Sequence, residues 1–328
     1  MTSITRRILV ALAALCLMFG LAACGDDDDD GGGGSGSAPA TDDGGKAIQS
    51  DPANASKGTV TVGSKNFTEQ FILGEIYAQT LEAMGFKVQR RLNLGSEQVA
   101  YKALKGGSVD MYPEYTGTAL TSFFEVKTAD VPADPDEAYE QAKAEYAKNN
   151  ITALARTPFQ NTYILASTKA TAEKEGNPET ISELMEKNPN LSLSGFPECR
   201  QRQDCLLGLR SEYGFKGKFV SSDGKFSDLD QGQSQLTLAF STDPQLALTD
   251  KYAAFEDDKK FFPPYHITLG VRNQTVQDIG QEAVDTLEAV QEGMTEDAMR
   301  ELNRRVELEK QEAKAVAAAY LSEEGFVQ

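Results

Sequence analysis

Apolar and polar positions follow two different periods along most of the chain. The segments 59–62, 87–94 and 109–112 have the length of strands, and between them apolar side chains recur every three or four residues, as in helices. Asn66 followed by Glu69 fits a helix N-cap with an acidic third position. Strands that alternate with helices predict an α/β fold with a mostly parallel sheet, and such sheets bind ligands beyond the carboxyl ends of their strands.

The same pattern returns in the middle of the chain. Residues 191–194 predict a strand that enters a loop, and residues 235–242 resemble residues 111–118, because in both a strand ends at an aromatic residue followed by small hydroxyl residues. Two further strands, at 161–165 and 264–269, are placed to cross between the halves. We therefore predict two similar α/β lobes with a cleft between them.

The N-terminus indicates the compartment. Arg6 and Arg7 precede an almost wholly apolar run at 8–21, which is too short to span a bilayer comfortably, and Leu-Ala-Ala then precedes Cys24. This order resembles a bacterial lipoprotein signal peptide of residues 1–23, after which the thiol of the new N-terminal cysteine is lipidated. The alternative is an ordinary signal peptide with a chance cysteine.

The remaining chain divides into a linker and a folded part. Residues 24–57 contain an acidic run, a glycine run and small polar residues without apolar periodicity, which predicts a flexible tether. We expect one folded domain at 58–328, with lobe 1 at about 58–160 plus 266–328 and lobe 2 at about 161–265.

The charge balance is acidic, with 50 Asp and Glu against 32 Lys and Arg and a net charge of −18. No basic patch is present, so nucleic acid is not an expected partner. No later segment is apolar enough to cross a membrane, so membrane attachment is expected through the lipid anchor only. The expected oligomeric state is a monomer.

Two cysteines, Cys199 and Cys205, remain after the signal peptide and the lipidation site. Outside the cytoplasm a nearby pair is most simply a disulfide, which would hold the loop that contains Arg202 in one shape. A metal site would require more ligands, and the chain has one histidine. We therefore expect no metal and no cofactor.

Aromatic residues at strand ends indicate the function of the chain more clearly than any catalytic motif does. The chain has no nucleophile, phosphate-loop or metalloprotease motif, and its histidine, His266, lies beside a predicted crossing strand. Tyr115, Tyr163, Phe240 and Tyr265 each lie where a strand should end at the cleft. Aromatic faces attract a quaternary ammonium group, although any one of these rings is also explained by core packing.

Three motifs in the same order resemble one known family. They are VGSKNFTEQ at 62–70, EYTGT at 114–118 and PPY at 263–265, and they resemble the substrate-binding proteins of osmoprotectant ABC importers, the glycine betaine/choline-binding family. The resemblance covers about residue 59 to the C-terminus. It implies the type II periplasmic-binding-protein fold, with two interlobe crossing strands and closure of the lobes on a ligand.

The resemblance also implies individual roles. Tyr115, Tyr163 and Tyr265 correspond to tyrosines of an aromatic cage, and Phe240 stands where many members have a fourth tyrosine. We use "aromatic cage" for these four residues. The residues that correspond to those holding the carboxylate of a betaine are Lys65, Thr118 and Arg202.

The sequence therefore predicts an extracytoplasmic receptor, anchored by lipid to the outer face of the cell membrane, that is not an enzyme. Its expected ligand is a quaternary ammonium osmoprotectant such as glycine betaine or choline, and its expected partners are an ABC permease and its separate ATPase. Larger trimethylammonium ligands such as carnitine or ergothioneine remain open, as do a sensory lipoprotein without a transport role and an extracytoplasmic enzyme.

Overall fold

A computed structural model of the chain describes residues 46–327. The predicted signal peptide 1–23, the predicted lipidation site Cys24 and most of the predicted tether lie outside the described residues.

The first sheet belongs to lobe 1. Its strands are β1 (Thr59–Gly63), β2 (Lys87–Arg91), β3 (Met111–Tyr115), β4 (Ile151–Ala153) and β10 (Ile267–Arg272). They lie in the order β2-β1-β3-β10-β4, in which β1 runs parallel to β2 and β3, and β10 runs antiparallel to β3 and β4. The late strand β10 returns to pair with the early strand β3, so lobe 1 is built from two separate parts of the chain.

The second sheet, in lobe 2, follows the same plan. Its strands are β5 (Tyr163–Thr168), β6 (Leu193–Gly195), β7 (Phe219–Ser221), β8 (Leu236–Phe240) and β9 (Tyr252–Phe255), in the order β7-β6-β8-β5-β9. Here β5 is the antiparallel strand between β8 and β9. The chain passes between the sheets at 154–162 and at 256–266, where Gln160 and His266 form a bridge. The predicted two-lobed α/β fold with two crossings is confirmed.

Helices cover the faces of both sheets. They are α1 (Thr68–Ala83), α2 (Glu97–Lys105), α3 (Thr116–Thr118), α4 (Pro135–Ala147), α5 (Lys169–Lys174), α6 (Ile181–Lys187), α7 (Leu206–Glu212), α8 (Phe226–Asp230), α9 (Asn273–Ile279), α10 (Gln281–Glu292), α11 (Glu296–Glu307) and α12 (Ala313–Glu323). Helix α1 is buried against the C-terminal helices, with Ile72, Leu73 and Ile76 fully enclosed. No helix within residues 46–327 is long and apolar enough to cross a membrane.

Several predicted boundaries move by a few residues. The strand predicted at 109–112 begins at Met111 and runs through Pro113 to Tyr115. The strands predicted at 161–165 and 264–269 begin later, at Tyr163 and Ile267, because the residues before them run between the lobes and leave the sheets.

The predicted capping of α1 by Asn66 and Glu69 is wrong. The helix begins at Thr68, its N-cap position is Phe67, and no side chain caps it. Glu69 instead points into the protein, where it is 2% exposed and accepts a hydrogen bond from Tyr115. The local pattern of a capping box is therefore present without its function.

The predicted tether is too long at its C-terminal end. Pro52–Ser56 form a 3-10 turn, and the buried Asn54 side chain donates a hydrogen bond to the carbonyl of Met84 at 2.8 Å. The amide of Ile48 donates to the carbonyl of Phe326 at 2.9 Å. Residues at this end of the predicted tether therefore pack on lobe 1 through hydrogen bonds, which apolar periodicity does not reveal.

Candidate functional site

A cleft between the two sheets contains all seven residues predicted to bind the ligand. Its volume is about 470 Å³, and it lies at the carboxyl ends of β1, β3, β6 and β8, where open α/β sheets place ligands. The predicted residues that line it are Lys65, Tyr115, Thr118, Tyr163, Arg202, Phe240 and Tyr265. The sequence thus located the cleft, whereas contact of each residue with a ligand stays a prediction.

The lobe 1 side of the cleft presents two parallel aromatic rings. Tyr115 is the last residue of β3, and its hydroxyl donates a 2.7 Å hydrogen bond to Glu69, which fixes the ring in its plane. Phe67 stands just before α1, with its ring centroid 6.1 Å from that of Tyr115 and 6.0 Å from that of Phe240. Phe67 therefore lies between the aromatic surfaces of the two lobes.

The lobe 2 side presents three further rings. Tyr163 begins β5 and Phe240 ends β8, and the two residues are direct partners in the sheet, with ring centroids 5.5 Å apart. Phe196, which follows β6, lies 6.0 Å from Tyr163 and 6.3 Å from Phe240. The sheet register alone therefore places two cage residues side by side.

Tyr265 completes the aromatic cage from the second crossing segment. Its ring lies edge-on to Tyr163 at 5.2 Å, and its hydroxyl donates to Asp204 at 2.6 Å. A side chain at Gly117 would meet the Tyr265 ring at 2.8 Å and the Pro264 carbonyl at 2.8 Å. Only glycine fits between the EYTGT motif and this tyrosine.

Lys65 lies in the cleft but already has a carboxylate partner. Its ammonium donates to Glu114, and both side chains are buried. The same ammonium lies 4.4 Å from the Tyr115 ring centroid and 5.7 Å from that of Phe67. Glu114 also accepts from Tyr112 at 3.0 Å. A ligand carboxylate that binds Lys65 must therefore share it with Glu114.

Arg202 is held even more firmly. It forms a two-pronged ion pair with Asp204 at 2.8 and 2.5 Å, and it lies 3.3 Å from a carboxylate oxygen of Glu97 and 3.4 Å from the Thr118 hydroxyl. Burial opposes ionisation of Asp204, but the Arg202 charge outweighs it and lowers the pKa of Asp204. Arg202, which was predicted to hold a ligand carboxylate, is therefore already paired with two carboxylates of the protein, those of Asp204 and Glu97.

The disulfide fixes the backbone around that arginine. Cys199 and Cys205 are bonded, as predicted, with their Cα atoms 5.2 Å apart and both residues fully buried. The amide of Arg202 donates to the Cys199 carbonyl at 3.3 Å. Arg202 therefore lies on a short loop that the disulfide closes.

Phe67, Phe196 and Lys225 are among the cleft residues that sequence reasoning missed. Phe67 lies inside the VGSKNFTEQ motif and Phe196 directly follows a strand, so the rule that found the cage residues would also have found Phe196. Lys225 had no such signal. Its φ of 45° is in the region that favours glycine, and its ammonium lies 2.6 Å from Asp243 and 4.7 Å from the Phe240 ring centroid.

His266 lies away from these rings. It is buried at the bridge between the two crossing segments, with Nδ1 3.0 Å from the carbonyl oxygen of Thr157. Burial lowers the pKa of His266, and the neighbouring charge of Arg156 acts in the same direction. Within residues 46–327, no three His, Cys, Asp or Glu side chains are grouped to hold a metal ion.

Two α/β lobes joined by two crossings, with a ligand-sized cleft lined by both, define a substrate-binding protein. The chain belongs to the family described as the substrate binding domain of the ABC-type glycine betaine transport system, whose model matches residues 58–323. The family predicted from the three motifs is thereby confirmed.

Individual relatives agree on the class and differ in ligand. The chain is 31% identical over 280 residues to a glycine-betaine-binding protein of Pseudomonas aeruginosa, covering 81% of this chain and 88% of that protein. It is 30% identical over 272 residues to an ergothioneine transport permease/ergothioneine binding protein of Helicobacter pylori, covering 81% of this chain and 48% of that protein. The chain thus spans about half the length of the latter relative.

A crystal structure of a glycine betaine/carnitine/choline ABC transporter superposes with a TM-score of 0.65 at 25% identity, covering 80% of this chain and 98% of that one.

Proposed function

We propose that this chain is the receptor of an ABC importer and captures a small quaternary ammonium compound such as glycine betaine or choline. The observation that carries the proposal is the set of aromatic rings from both lobes at one cleft, which are Phe67, Tyr115, Tyr163, Phe196, Phe240 and Tyr265. A quaternary ammonium has no N–H to donate, so it is bound through ring faces, each worth about 0.5–2 kcal/mol.

The buried charges support a cationic group in the cleft. Glu97 and Asp204 surround Arg202, and Glu114 neutralises Lys65, so the protein cations are already compensated. A ligand carboxylate would bind Lys65, Arg202 and the Thr118 hydroxyl only by sharing them with these acids. We infer that the aromatic cage supplies most of the affinity. Lys65, Arg202 and Thr118 then determine the preference between glycine betaine and choline.

Binding is coupled to closure of the lobes. The cage takes Tyr115 from lobe 1, Phe240 from lobe 2 and Tyr265 from the second crossing segment. A ligand that contacts both lobes favours the conformation in which they are close together, and the bend falls in the crossing segments 154–162 and 256–266.

The proposed context is transport without chemistry on the ligand. The receptor is tethered outside the cytoplasm by lipid on Cys24, works as a monomer and delivers its ligand to a permease. The energy comes from a separate ATPase. We propose no enzymatic activity, so saturable binding without turnover is the expected behaviour.

A larger trimethylammonium ligand, such as carnitine or ergothioneine, is the second candidate, because the chain is 30% identical over 272 residues to the ergothioneine-binding relative of Helicobacter pylori. The lining of the cleft also contains polar side chains, among them Ser222, Lys225 and Ser227.

A thermal-shift panel tests the proposal. It compares glycine betaine, choline, proline betaine, carnitine and ergothioneine with free amino acids, because a ligand that binds the native state raises Tm by an amount that grows with the logarithm of its excess over Kd. We expect a quaternary ammonium compound to give the largest shift. Shifts with amino acids and none with any quaternary ammonium compound would contradict the proposal.

A further inference from the structure

A buried carboxylate beneath the aromatic cage has no part in the proposed ligand contacts. Glu69 lies in the first turn of α1 and is 2% exposed. It does not line the cleft, and no lysine or arginine forms an ion pair with it among the described residues. A charge in such a place is costly to bury unless its oxygens are fully hydrogen-bonded.

Both oxygens of Glu69 are hydrogen-bonded. Oε1 accepts from the Tyr115 hydroxyl at 2.7 Å and from the Asn161 amide at 2.9 Å, while Oε2 accepts from the Thr242 hydroxyl at 2.6 Å and from the Asn303 amide at 3.3 Å. An ionised carboxylate has about four acceptor positions. All four are therefore occupied by donors of the protein.

The four donors come from the parts of the chain that must move relative to one another. Tyr115 ends β3 in lobe 1, Asn161 lies in the first crossing segment, Thr242 follows β8 in lobe 2 and Asn303 belongs to α11. Asn303 also donates to the Thr242 carbonyl at 3.1 Å, which strengthens the link between α11 and lobe 2. One carboxylate thus joins both lobes, one crossing segment and a cage tyrosine.

The two amides are oriented for a group that only accepts. Asn161 and Asn303 both turn their NH₂ groups to Glu69, and their own carbonyl oxygens are buried without a partner within residues 46–327. Burial raises the pKa of Glu69, and the hydrogen bonds from Thr242 and the other donors oppose that rise. This arrangement suits the ionised carboxylate.

We propose that Glu69 is a positioning residue that couples the aromatic cage to the hinge, because it orients Tyr115 and sets the angle between the lobes in the ligand-free protein. The inference rests on the proposed function for its link to ligand affinity. Its link to the interlobe angle does not require any ligand.

Glu69→Gln is the primary test variant. The amide keeps the shape of the side chain but replaces one acceptor oxygen with a donor, which then faces donors of the surrounding residues. We expect weaker binding of choline and glycine betaine, by about tenfold or more, because hydrogen bonds to a charged group are lost. We also expect a shifted and broader distribution of interlobe distances in the ligand-free protein.

Glu75→Gln is the matched control. Glu75 lies on the same helix, is 5% exposed and is bonded to Arg90 at 2.9 Å, so it makes no link to lobe 2. The variant carries the same chemical change at a buried carboxylate of lobe 1. It should lower Tm while leaving affinity and interlobe distance unchanged.

The measurement combines calorimetry with energy transfer between fluorophores on unnatural amino acids at the exposed positions Lys102 and Glu173, one in each lobe. A changed ligand-free distance and weaker binding in Glu69→Gln, with neither in Glu75→Gln, is the expected result. A wild-type distance distribution in Glu69→Gln, or the same change in both variants, would overturn the proposal. If wild-type protein binds neither compound, the proposed function fails, while the ligand-free distances still test the role of Glu69.

Thr242→Val keeps the test decisive if Glu69→Gln does not fold. It removes one hydrogen bond to Oε2 with little change in volume and leaves the carboxylate in place. We expect the same direction of change with a smaller size, about threefold in affinity, because only one hydrogen bond is lost. Wild-type affinity and interlobe distance in Thr242→Val would overturn the proposal.

Discussion

Tyr163 and Phe240 are direct partners across β5 and β8, and their rings lie 5.5 Å apart in the cleft. The register of one sheet therefore fixes two of the four cage residues relative to each other. Phe240 stands at the position where the family resemblance leads one to expect tyrosine, so it retains the aromatic face without a hydroxyl. The consequence is that Phe240 can contribute only its ring face to ligand binding.

Replacement of Phe240 by leucine tests that consequence. Phe240→Leu keeps an apolar side chain but removes the π face, so affinity for choline should fall about two- to thirtyfold, as expected for the loss of 0.5–2 kcal/mol. Calorimetry measures the change. Phe219→Leu, a buried position of β7 outside the cleft lining, should lower Tm without changing affinity. Unchanged affinity in Phe240→Leu would show that the ring is only a packing residue.

Release of Arg202 should change the choice of ligand. Asp204→Asn removes the charge that holds the guanidinium at 2.8 and 2.5 Å, so Arg202 becomes available to a ligand carboxylate. The ratio of glycine betaine affinity to choline affinity should rise about tenfold. Asp230→Asn, which removes a surface acid of lobe 2, controls for the change in net charge. An unchanged ratio in Asp204→Asn would exclude Arg202 as a carboxylate ligand.

Replacement of Lys65 should change the stability of the protein and its choice of ligand, and a double variant should separate the two effects. Lys65→Met leaves Glu114 as an unpaired buried charge and should cost about 3–5 kcal/mol, part of which Lys65→Met combined with Glu114→Gln should restore. In the double variant, glycine betaine should bind more weakly than in the wild type, with a smaller effect on choline. Equal losses for both ligands would refute the carboxylate role of Lys65.

The pH dependence of stability should report on His266. Burial lowers the pKa of His266 in the folded protein. The unfolded chain takes up a proton as the pH falls through about 6.5, whereas the folded chain does so only at lower pH. Stability should therefore fall below about pH 6.5, by up to about 1.4 kcal/mol per pH unit from this residue. Thermal melts of His266→Gln should show a shallower decline over the same interval, and an identical decline would contradict this assignment.

Much of the fold was visible in the sequence because it depends on local periodicity. The alternation of strands and helices, the repeated plan of the lobes and the aromatic residues at the ends of β3 and β8 all follow from short-range patterns. The family resemblance then assigned Lys65 and Arg202 to the same ligand site. These features can be predicted from the direction of the chain and from which residues are buried, and the local sequence encodes both.

The partners of the charged groups could not be predicted in the same way. Lys65 meets Glu114 from another strand, and Arg202 meets Glu97 from the other lobe. Glu69 had the local signature of a capping residue, yet its bonds go to four distant elements. Pairing of this kind is set by tertiary packing, which a pattern along the chain does not contain.

We expect the aromatic cage to recognise a positive charge without hydrogen bonds. Calorimetry with choline and with its neutral carbon isostere, 3,3-dimethylbutan-1-ol, tests it most directly, because the two compounds share shape and hydroxyl group and differ in charge. Choline should bind at least about tenfold more tightly, since several ring faces each contribute about 0.5–2 kcal/mol to a cation. Equal affinity for the two compounds would contradict the account.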